Sequence, residues 1–413
     1  MRGTSMERAD ASLTQEVAGR LDRLPLSSFS YKLLWMMAPA WIIEAYDIGI
    51  VGPTIAVLKQ TWAPAASQIA MLAIASTIAI CIGLVPSGML CDRFGRRRLL
   101  LYGIAWFSIF TGLGAISPNI ETLTVFRFLA GLGMGAVFPL PYVYLTEFLA
   151  PVARAKLVGY LNGFLTALYL VPPLAAIYFL AHFDHAIAWR LLYLIAFVPL
   201  VYSFFLWFML PESPRWLAVR GRKEEALAIV QRAEEETERS TGAPLAAFVP
   251  SRVSAPVQRD IARGDVFRPP LLRGTIVVWL AFFGSLPVFY VLLTYAPALM
   301  VAQGFKLTNS LYFVALLQLS GGIGGVVEGI FGDRVGRRPV IAWYAVLAFI
   351  GLIGLAYGNS IAVVLICGIV VGFFGLGIYP VLKIYIAEQY PTAIRGFGSG
   401  AAESFGRLLG GVA

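Results

Sequence analysis

The segment GMLCDRFGRR at residues 88–97 recurs as GIFGDRVGRR at residues 329–338, and strongly apolar sequence flanks both copies. Asp92 of the first copy and Asp333 of the second lie 333 − 92 = 241 residues apart. The same offset, without a gap, relates four pairs outside the motif: Pro139 and Pro380, Tyr144 and Tyr385, Glu147 and Glu388, and Arg154 and Arg395. One long offset shared by unrelated positions indicates that the chain is a duplicated unit.

The composition is that of a membrane protein. Hydrophobic residues make up 59% of the chain and charged residues 13%, and the mean hydropathy is +0.77, whereas soluble domains carry about 25% charged residues. About 20 consecutive apolar residues span a bilayer as a helix. The apolar runs of this kind lie at 33–58, 67–90, 99–117, 122–148, 155–181, 189–210, 273–302, 309–331, 339–357 and 361–387. Because unpaired backbone groups are not tolerated in hydrocarbon, we predict that each run is a helix and that the protein is all-α.

The duplication predicts two six-helix bundles. An eleventh apolar run opens near residue 396 and the sequence ends at Ala413, so we expect a second bundle that is truncated in its fifth helix. The predicted organisation is an N-terminal segment at 1–32, a first bundle at 33–210, a polar linker at 211–270 and an incomplete second bundle at 271–413. Within the linker, apolar residues spaced among glutamates and arginines at 223–240 predict an amphipathic surface helix.

The charge distribution predicts the orientation. The net charge is +9, but the basic residues lie between spans rather than in one patch, which argues against a nucleic-acid partner. The loops after even-numbered spans hold Arg93, Arg96, Arg97, Arg98, Arg154, Lys156, Arg334, Arg337 and Arg338. By the positive-inside rule, these loops and the N-terminus are cytoplasmic. Residues 1–30 lack the apolar core of a signal peptide, and the three cysteines fall on no metal-ligand spacing, so we predict neither a metal site nor a disulfide framework.

The repeated loops carry more than a topology signal. Arginines alone would retain a loop in the cytoplasm, but that role does not need Asp92 and Gly95, nor their recurrence at Asp333 and Gly336. The pattern resembles the loop motif of the major facilitator superfamily, and the resemblance covers nearly the whole chain. It implies two bundles that alternate access to a central site. It also implies a cytoplasmic gate made of Asp92, Arg96, Glu147, Arg154, Asp333, Arg337, Glu388 and Arg395.

Arg127 lies about one turn inside the fourth span, where an unpaired charge costs several kcal/mol. It either extends outward to water or faces the pore, where it attracts an anionic substrate or a carboxylate of the first span. Gly131 and Gly135, four residues apart on the same span, predict close packing against a neighbouring helix.

Glu44 and Asp47 lie inside the first span at positions i and i+3, which places them on one helix face. Two carboxylates buried side by side repel each other, and one of them then binds a proton more readily. We therefore predict a proton-coupling site at Glu44 and Asp47. The alternative is a structural ion pair with Arg127, which is compatible with transport.

The second half offers two further charges. Lys383 lies near the cytoplasmic end of the tenth span, and we expect it to extend to the membrane surface. Arg407 lies deep enough in the eleventh helix to face the cavity, and a guanidinium fits a carboxylate with two hydrogen bonds. Aromatic residues of the seventh span, Tyr290 among them, form a candidate wall for the substrate, although such residues also pack against lipid.

The segment Pro211-Glu-Ser-Pro-Arg-Trp-Leu217 is similar to the end of the sixth span in the sugar-porter-like branch of that superfamily and its organic-ion relatives. The seventh span, however, lacks the glutamines and asparagine of sugar porters, and the fifth span offers Asn162 and Thr166 in place of a glutamine. The spacing of the acids and Arg127 resembles that of aromatic acid:proton symporters and niacin-type carriers, with Glu44-Ala45-Tyr46-Asp47 in place of Asp-Gly-x-Asp.

These observations predict a secondary transporter of the plasma membrane that takes up a small organic acid, such as an aromatic or pyridine carboxylate, together with a proton. Arg127, Arg407, Tyr290 and Asn162 are the candidate substrate-binding residues, and we expect a monomer without a cofactor. The sequence contains no phosphate-binding loop of the ATPase type, so ATP-driven transport and enzymatic activity are not expected. A sugar or polyol porter, a drug:proton antiporter and a membrane receptor without transport remain as alternatives.

Overall fold

A computed structural model describes residues 13–150, 168–245, 266–269, 271–302, 304–357, 360–390 and 395–412; the side chains of Val85, Gly88, Met89 and several residues beyond Gln303, including Asp333, Glu388 and Arg395, lie outside this description. The helices of the first half are α1 (13–22), α2 (Ser28–Gly49), α3 (Val51–Thr61), α4 (Ala66–Phe94), α5 (Arg96–Leu113), α6 (Ile120–Val137), α7 (Leu140–Phe148), α8 (Val171–His182), α9 (His185–Leu194) and α10 (Phe197–Met209). The remaining helices are α11 (Pro214–Val219), α12 (Lys223–Thr241), α13 (Leu272–Tyr290), α14 (Ala296–Ala302), α15 (Leu307–Val335), α16 (Arg337–Tyr357), α17 (Ile361–Val371), α18 (Tyr379–Gln389) and α19 (Arg395–Val412).

The membrane-spanning helices form where the apolar runs predict them. Within the described ranges, nine helices are long and apolar enough to cross a bilayer, and they coincide with nine of the ten predicted runs. The other run, 155–181, begins outside the described residues, and its visible part is the short apolar helix α8. Several spans consist of two consecutive helices: α2 and α3 together form one apolar segment from Ser28 to Thr61. The all-α prediction is confirmed.

The duplication is visible in the helix boundaries. Helices α4 and α15 each contain 29 residues, and they begin and end at the same offset, because 307 − 66 and 335 − 94 both equal 241. Each helix stops at a glycine with positive φ, +96° at Gly95 and +101° at Gly336. A residue with a side chain is strained in this conformation, so the sharp turn into the next span requires glycine in both copies.

The first bundle is held together by close contact between α4 and α6. A methyl group added at Gly131 would lie 2.6 Å from the carbonyl oxygen of Ser76, and one added at Gly135 would lie 2.6 Å from that of Ile80. Both distances are shorter than van der Waals contact, so the predicted close packing at this glycine pair is confirmed.

The two halves also meet directly between α3 and a π-helical segment of the seventh span, Val291–Tyr295. A side chain at Gly52 of α3 would overlap the carbonyl oxygen of Leu293. The two backbones therefore approach this closely only because Gly52 has no Cβ.

Helix α1 packs against α12 outside the spans. Leu13, Val17 and Leu21 of α1 are buried in one apolar cluster with Ala226, Val230 and Ala233 of α12. Glu234 holds the contact at its edge: one carboxylate oxygen accepts from Arg20 Nε at 3.0 Å and Arg23 Nη2 at 2.6 Å, and the other accepts from Arg20 Nη2 at 2.5 Å. Burial raises the pKa of Glu234, but the bonds from the two arginines outweigh it and lower the pKa below its usual value.

Replacing Glu234 with glutamine is expected to loosen this contact, because the amide cannot form the two ion pairs. A partly exposed pair contributes about 1 kcal/mol at most, so amide hydrogen exchange of α1 should accelerate roughly fivefold.

The lowered pKa of Glu234 also predicts a pH dependence of this contact. The carboxylate stabilises the folded state above its unfolded pKa, about 4.3 for glutamate. It loses this effect as the pH falls through the folded pKa.

The matched control is Glu235→Gln on the same helix, because Glu235 is exposed and its carboxylate contacts Arg239 and Gln231 of α12. Exchange of α1 should stay at the wild-type rate in this control. Equal acceleration in the two variants would show that the ion pairs of Glu234 do not hold α1.

Candidate functional site

A cavity of about 40 Å³ lies between the two halves. Its lining combines charged, aromatic and amide side chains from both halves: Glu44, Tyr169, Leu286, Phe289, Gln318, Leu376, Tyr379, Pro380, Lys383 and Arg407. An apolar cavity that binds benzene in another protein measures about 150 Å³. The space is therefore large enough for water but too small for a ring-sized ligand, so a ligand of that size needs the halves to separate further.

Arg407 is the centre of the charged cluster. Its Nη2 lies 3.0 Å from Glu403 Oε1 and 3.8 Å from Glu44 Oε1, and its Nη1 donates to the Tyr290 hydroxyl at 3.2 Å. The guanidinium carbon lies 4.2 Å from the ring centre of Phe138. Glu44 and Phe138 belong to the first half, so this arginine of α19 connects the two bundles. The predicted position of Arg407 at the cavity agrees with the structure.

Lys383 also belongs to this cluster, contrary to the expectation that it extends to the membrane surface. Its ammonium nitrogen lies 3.7 Å from Glu403 Oε1 and 5.4 Å from the ring centre of Phe138. The side chain of a helical residue points back toward the N-terminus of its helix, and here that direction leads from α18 into the cavity. The position in the sequence alone suggested the opposite direction.

Asp47 and Arg127 form a separate pair. Arg127 Nη1 donates to Asp47 Oδ1, and Arg127 Nη2 donates to the backbone oxygen of Asp47 at 3.2 Å. Both side chains are almost completely buried, which excludes outward extension of Arg127 to water. Arg127 is not part of the cavity lining, so the prediction that it binds substrate is replaced by the alternative of an ion pair.

The two acids of α2 are therefore not coupled as a side-by-side pair. Residues three apart on a helix differ in direction by about 60°, and this angle directs Glu44 to Arg407 and Asp47 to Arg127. Each carboxylate has its own arginine. Glu44 lines the cavity, whereas Asp47 does not.

The repeated loops form an ion-pair network in the first half. Arg96 lies 2.9 Å from Glu147 Oε1 and 3.2 Å from Asp92 Oδ1, so three of the predicted gate residues lie together. In the second half, Arg337 begins α16, and the neighbouring Arg338 donates to the Tyr385 hydroxyl at 2.9 Å. The other predicted gate residues and one predicted substrate ligand lie outside the described residues or side chains: Arg154, Asn162, Asp333, Glu388 and Arg395.

Glu212 of the Pro-Glu-Ser-Pro-Arg segment is part of this network and was not predicted. Its Oε1 accepts from the backbone nitrogens of Arg96 at 2.9 Å and Arg97 at 3.1 Å. These nitrogens have no acceptor within α5 because they begin the helix, and a carboxylate at a helix N-terminus is favourable. Asp92 thus pairs with Arg96, and Glu212 binds the N-terminus of the helix that Arg96 begins.

Three further polar residues escaped the sequence analysis. Gln318 and Tyr379 line the cavity, and the Gln318 side-chain nitrogen and the Tyr379 hydroxyl have no hydrogen-bond partner among the described residues. Glu328 is completely buried in α15. An isolated amide or acid within an apolar run was the signal that identified Glu44, and it would have identified Gln318 and Glu328 as well.

Comparisons with known proteins agree on one family. The family model described as Major Facilitator Superfamily matches residues 37–413. The niacin transporter NiaP of Acinetobacter baylyi is 29% identical over 400 residues, covering 96% of this chain and 88% of that protein. The 4-hydroxybenzoate transporter PcaK of Pseudomonas aeruginosa is 28% identical over 417 residues, with coverage of 96% and 88%. The xylose transporter XylE from E. coli, in a partially occluded inward-open conformation, has the same fold, with a TM-score of 0.74 at 19% identity over 93% of this chain and 91% of that one.

Proposed function

Because the chain belongs to the Major Facilitator Superfamily and is a multi-pass membrane transporter, we propose that it takes up a small organic acid with an aromatic or pyridine ring together with a proton. The observation that carries this proposal is the charged cluster at the cavity, in which Arg407 and Lys383 face Glu44 and Glu403. NiaP and PcaK, whose names record niacin and 4-hydroxybenzoate as substrates, support the substrate class.

The charges of the cluster favour symport of an anion with a proton. When all four side chains are ionised, two positive and two negative charges balance and leave no net charge for a carboxylate to neutralise. A proton on Glu44 weakens its interaction with Arg407 and leaves the cluster with a charge of +1. A monocarboxylate then restores neutrality, and a neutral cluster is less costly to enclose in a low-dielectric interior. The proton therefore prepares the site for the anion.

The surroundings of Arg407 suit an aromatic acid. Tyr169 and Phe289 meet edge to face with their ring centres 5.3 Å apart, and Phe289 and Tyr379 lie at the same distance. Aromatic rings prefer such edge-to-face and offset contacts. In the proposal, the carboxylate of the substrate binds Arg407, its ring lies between these aromatic side chains, and Gln318 donates a hydrogen bond to a ring nitrogen or hydroxyl.

The roles of the two acids in α2 follow from their surroundings. We propose that Glu44 carries the proton, because it borders the cavity and its nearest cation, Arg407, lies 3.8 Å away. Asp47 also belongs to the proposed proton-coupling site, although it does not line the cavity and is paired with Arg127. In this proposal the basic loops and the N-terminus face the cytoplasm, the ion pairs of Arg96 close the cytoplasmic gate, and the protein acts as a monomer.

The replacement of Glu44 with glutamine tests the coupling. In vesicles, we expect Glu44→Gln to exchange labelled for unlabelled substrate at close to the wild-type rate but to lose accumulation driven by a pH gradient, because glutamine cannot release a proton. Glu16→Gln, in α1 and remote from the cavity, is the control and should accumulate normally. Accumulation by Glu44→Gln equal to that of the wild type would contradict the role of Glu44.

The same vesicles separate the alternatives for the substrate. Nicotinate, benzoate and 4-hydroxybenzoate are expected to compete with one another for uptake, whereas xylose, glucose and lipophilic cations are not. Uptake of a sugar without uptake of an acid would establish the porter alternative, and expulsion of lipophilic cations would establish the antiporter. Binding of an acid without any accumulation would indicate a receptor.

A further inference from the structure

Glu328 is a buried acid that forms no ion pair within the described part of the chain. It lies in α15 with no measurable exposure, and its Oε2 accepts a hydrogen bond from the backbone nitrogen of Val381 at 3.2 Å. Its Oε1 is buried and has no hydrogen-bond partner among the described residues. An ionised carboxylate in such surroundings is very costly, whereas a protonated carboxyl group carries no charge and is far less costly to bury.

Val381 lies at a break in the tenth span. A π-helical segment, Gly372–Leu376, ends just before α18. Pro380 occupies the second position of α18 and has no N–H. Val381 follows as the third residue of the helix, where the backbone N–H has no acceptor within the helix. Glu328 supplies that acceptor from another span. Tyr379, Pro380 and Lys383 of the same helix line the cavity, so the bond from Glu328 fixes the helix that carries them.

The first half of the molecule has no carboxyl group at the position that corresponds to Glu328 in the repeat. The repeat offset relates Glu328 to Ser87 (328 − 241) and Val381 to Leu140 (381 − 241). Ser87 donates its hydroxyl to Leu84 of its own helix at 2.7 Å. The fold therefore does not need an acid at this position of the repeat, and an ionisable group in the second half alone points to a function there.

We propose that Glu328 is a second proton-binding site of the transport cycle and that its carboxyl group positions α18 at the cavity. The proposal rests on the proposed proton-coupled uptake. In the arrangement seen here the proton occupies Oε1 and Oε2 accepts from Val381. When α18 moves, a proton leaves Oε1 for water, and the carboxylate remaining is stabilised only by the Val381 N–H and the N-terminus of α18.

The groups around Glu328 are consistent with a proton as the ligand. On α16, the Tyr344 hydroxyl donates to the Gly324 oxygen of α15 at 2.9 Å, which leaves Tyr344 unable to donate its proton to Glu328 at the same time. On α18, Lys383 is directed to Glu403, and Tyr379 borders the cavity. Arg337 approaches α15 beside Gly332, one turn beyond Glu328. The segment Gly372–Leu376 and α17 contribute no acidic or basic side chain.

The test compares Glu328→Gln with Glu328→Ala in vesicles. The glutamine oxygen can accept from Val381 but cannot release a proton, so we expect substrate exchange within about twofold of the wild type, accumulation driven by a pH gradient reduced about tenfold, and a flattened pH profile. Alanine removes the acceptor as well, and we expect it to lose both exchange and accumulation. Glu328→Gln that accumulates substrate normally, or that loses exchange and accumulation equally, would overturn the proposal.

A spectroscopic measurement keeps this test independent of the proposed function. If the wild-type protein fails to accumulate any acid in a pH gradient, the proposed function fails, and the infrared spectrum of the purified protein still reports on Glu328. We expect a protonated-carboxyl stretching band near neutral pH that is absent from Glu328→Gln and retained in Glu16→Gln. Identical spectra of the wild type and Glu328→Gln would show that Glu328 holds no proton.

Discussion

Replacing Arg407 with alanine is expected to reduce the initial rate of organic-acid uptake about 100-fold. The guanidinium is the cationic group of the cavity that can bind a carboxylate with two parallel hydrogen bonds, and losing charge-assisted bonds costs about 3 kcal/mol, which corresponds to roughly a hundredfold in affinity. Arg407→Lys keeps the charge but not the planar fork, so we expect a loss of about tenfold. Uptake of labelled nicotinate or benzoate below its KM measures both effects.

Arg190→Ala is the matched control, because Arg190 also stacks on an aromatic ring, that of Trp189 at 4.5 Å, but bonds to the backbone of Ala115 outside the cavity. It should retain uptake close to the wild type. Equal amounts of folded protein in the membrane must be verified for each variant. If Arg407→Ala transports at the wild-type rate, the carboxylate binds elsewhere and the proposed site is wrong.

Replacing Asp47 with alanine is expected to destabilise the protein by about 3–5 kcal/mol, because Arg127 would remain as a buried charge without its carboxylate. The Nε of Arg127 already has no partner among the described residues, so the guanidinium depends on Asp47 for its charge compensation. We expect a lower melting temperature in detergent and less folded protein in the membrane. The double variant Asp47→Asn with Arg127→Gln removes both charges and should recover most of the stability.

Asp184→Asn provides the control for this effect, since Asp184 is an exposed acid between α8 and α9, and its melting temperature should not change. The decisive comparison is between the melting temperature of the double variant and that of Asp47→Ala. A double variant as unstable as Asp47→Ala would mean that the pair stabilises the fold through its shape rather than its charge.

The sequence predicted the fold because membrane spans and a 241-residue repeat leave strong signals in composition and spacing. The position of charges within apolar runs identified Glu44, Asp47, Arg127 and Arg407, since the cost of burying a charge makes each of them exceptional. It did not identify their partners. The separate pairs of Glu44 and Asp47 depend on which helix faces each side of α2, and this is a property of packing between spans distant in sequence.

The misjudged residues share a physical reason. Lys383 was expected to extend to the surface because a span end lies nearby, but the direction of its side chain from α18 takes it to Glu403. Glu328 lies five residues before Asp333, inside a helix that continues to Val335, and it was not among the residues predicted from the sequence. No symmetry signal marks Glu328, because its counterpart is a serine. The direction of the helix and the burial of the side chain determine the surroundings of Lys383 and Glu328, and the spacing of residues in the sequence gives neither.

The balance of two cations and two carboxylates at the cavity has an electrical consequence. If Glu44 alone delivers its proton with a monovalent anion, no net charge crosses the membrane, and the voltage of the cell neither drives nor opposes uptake. If the proton of Glu328 crosses as well, each cycle moves one positive charge inward, and an inside-negative voltage drives uptake. In the electroneutral case, the pH gradient and the concentration gradient of the substrate together provide the whole driving force. An electroneutral carrier therefore accumulates its substrate only where the outside is more acidic than the cytoplasm, whatever the membrane voltage, and the dependence of accumulation on voltage separates the two cases.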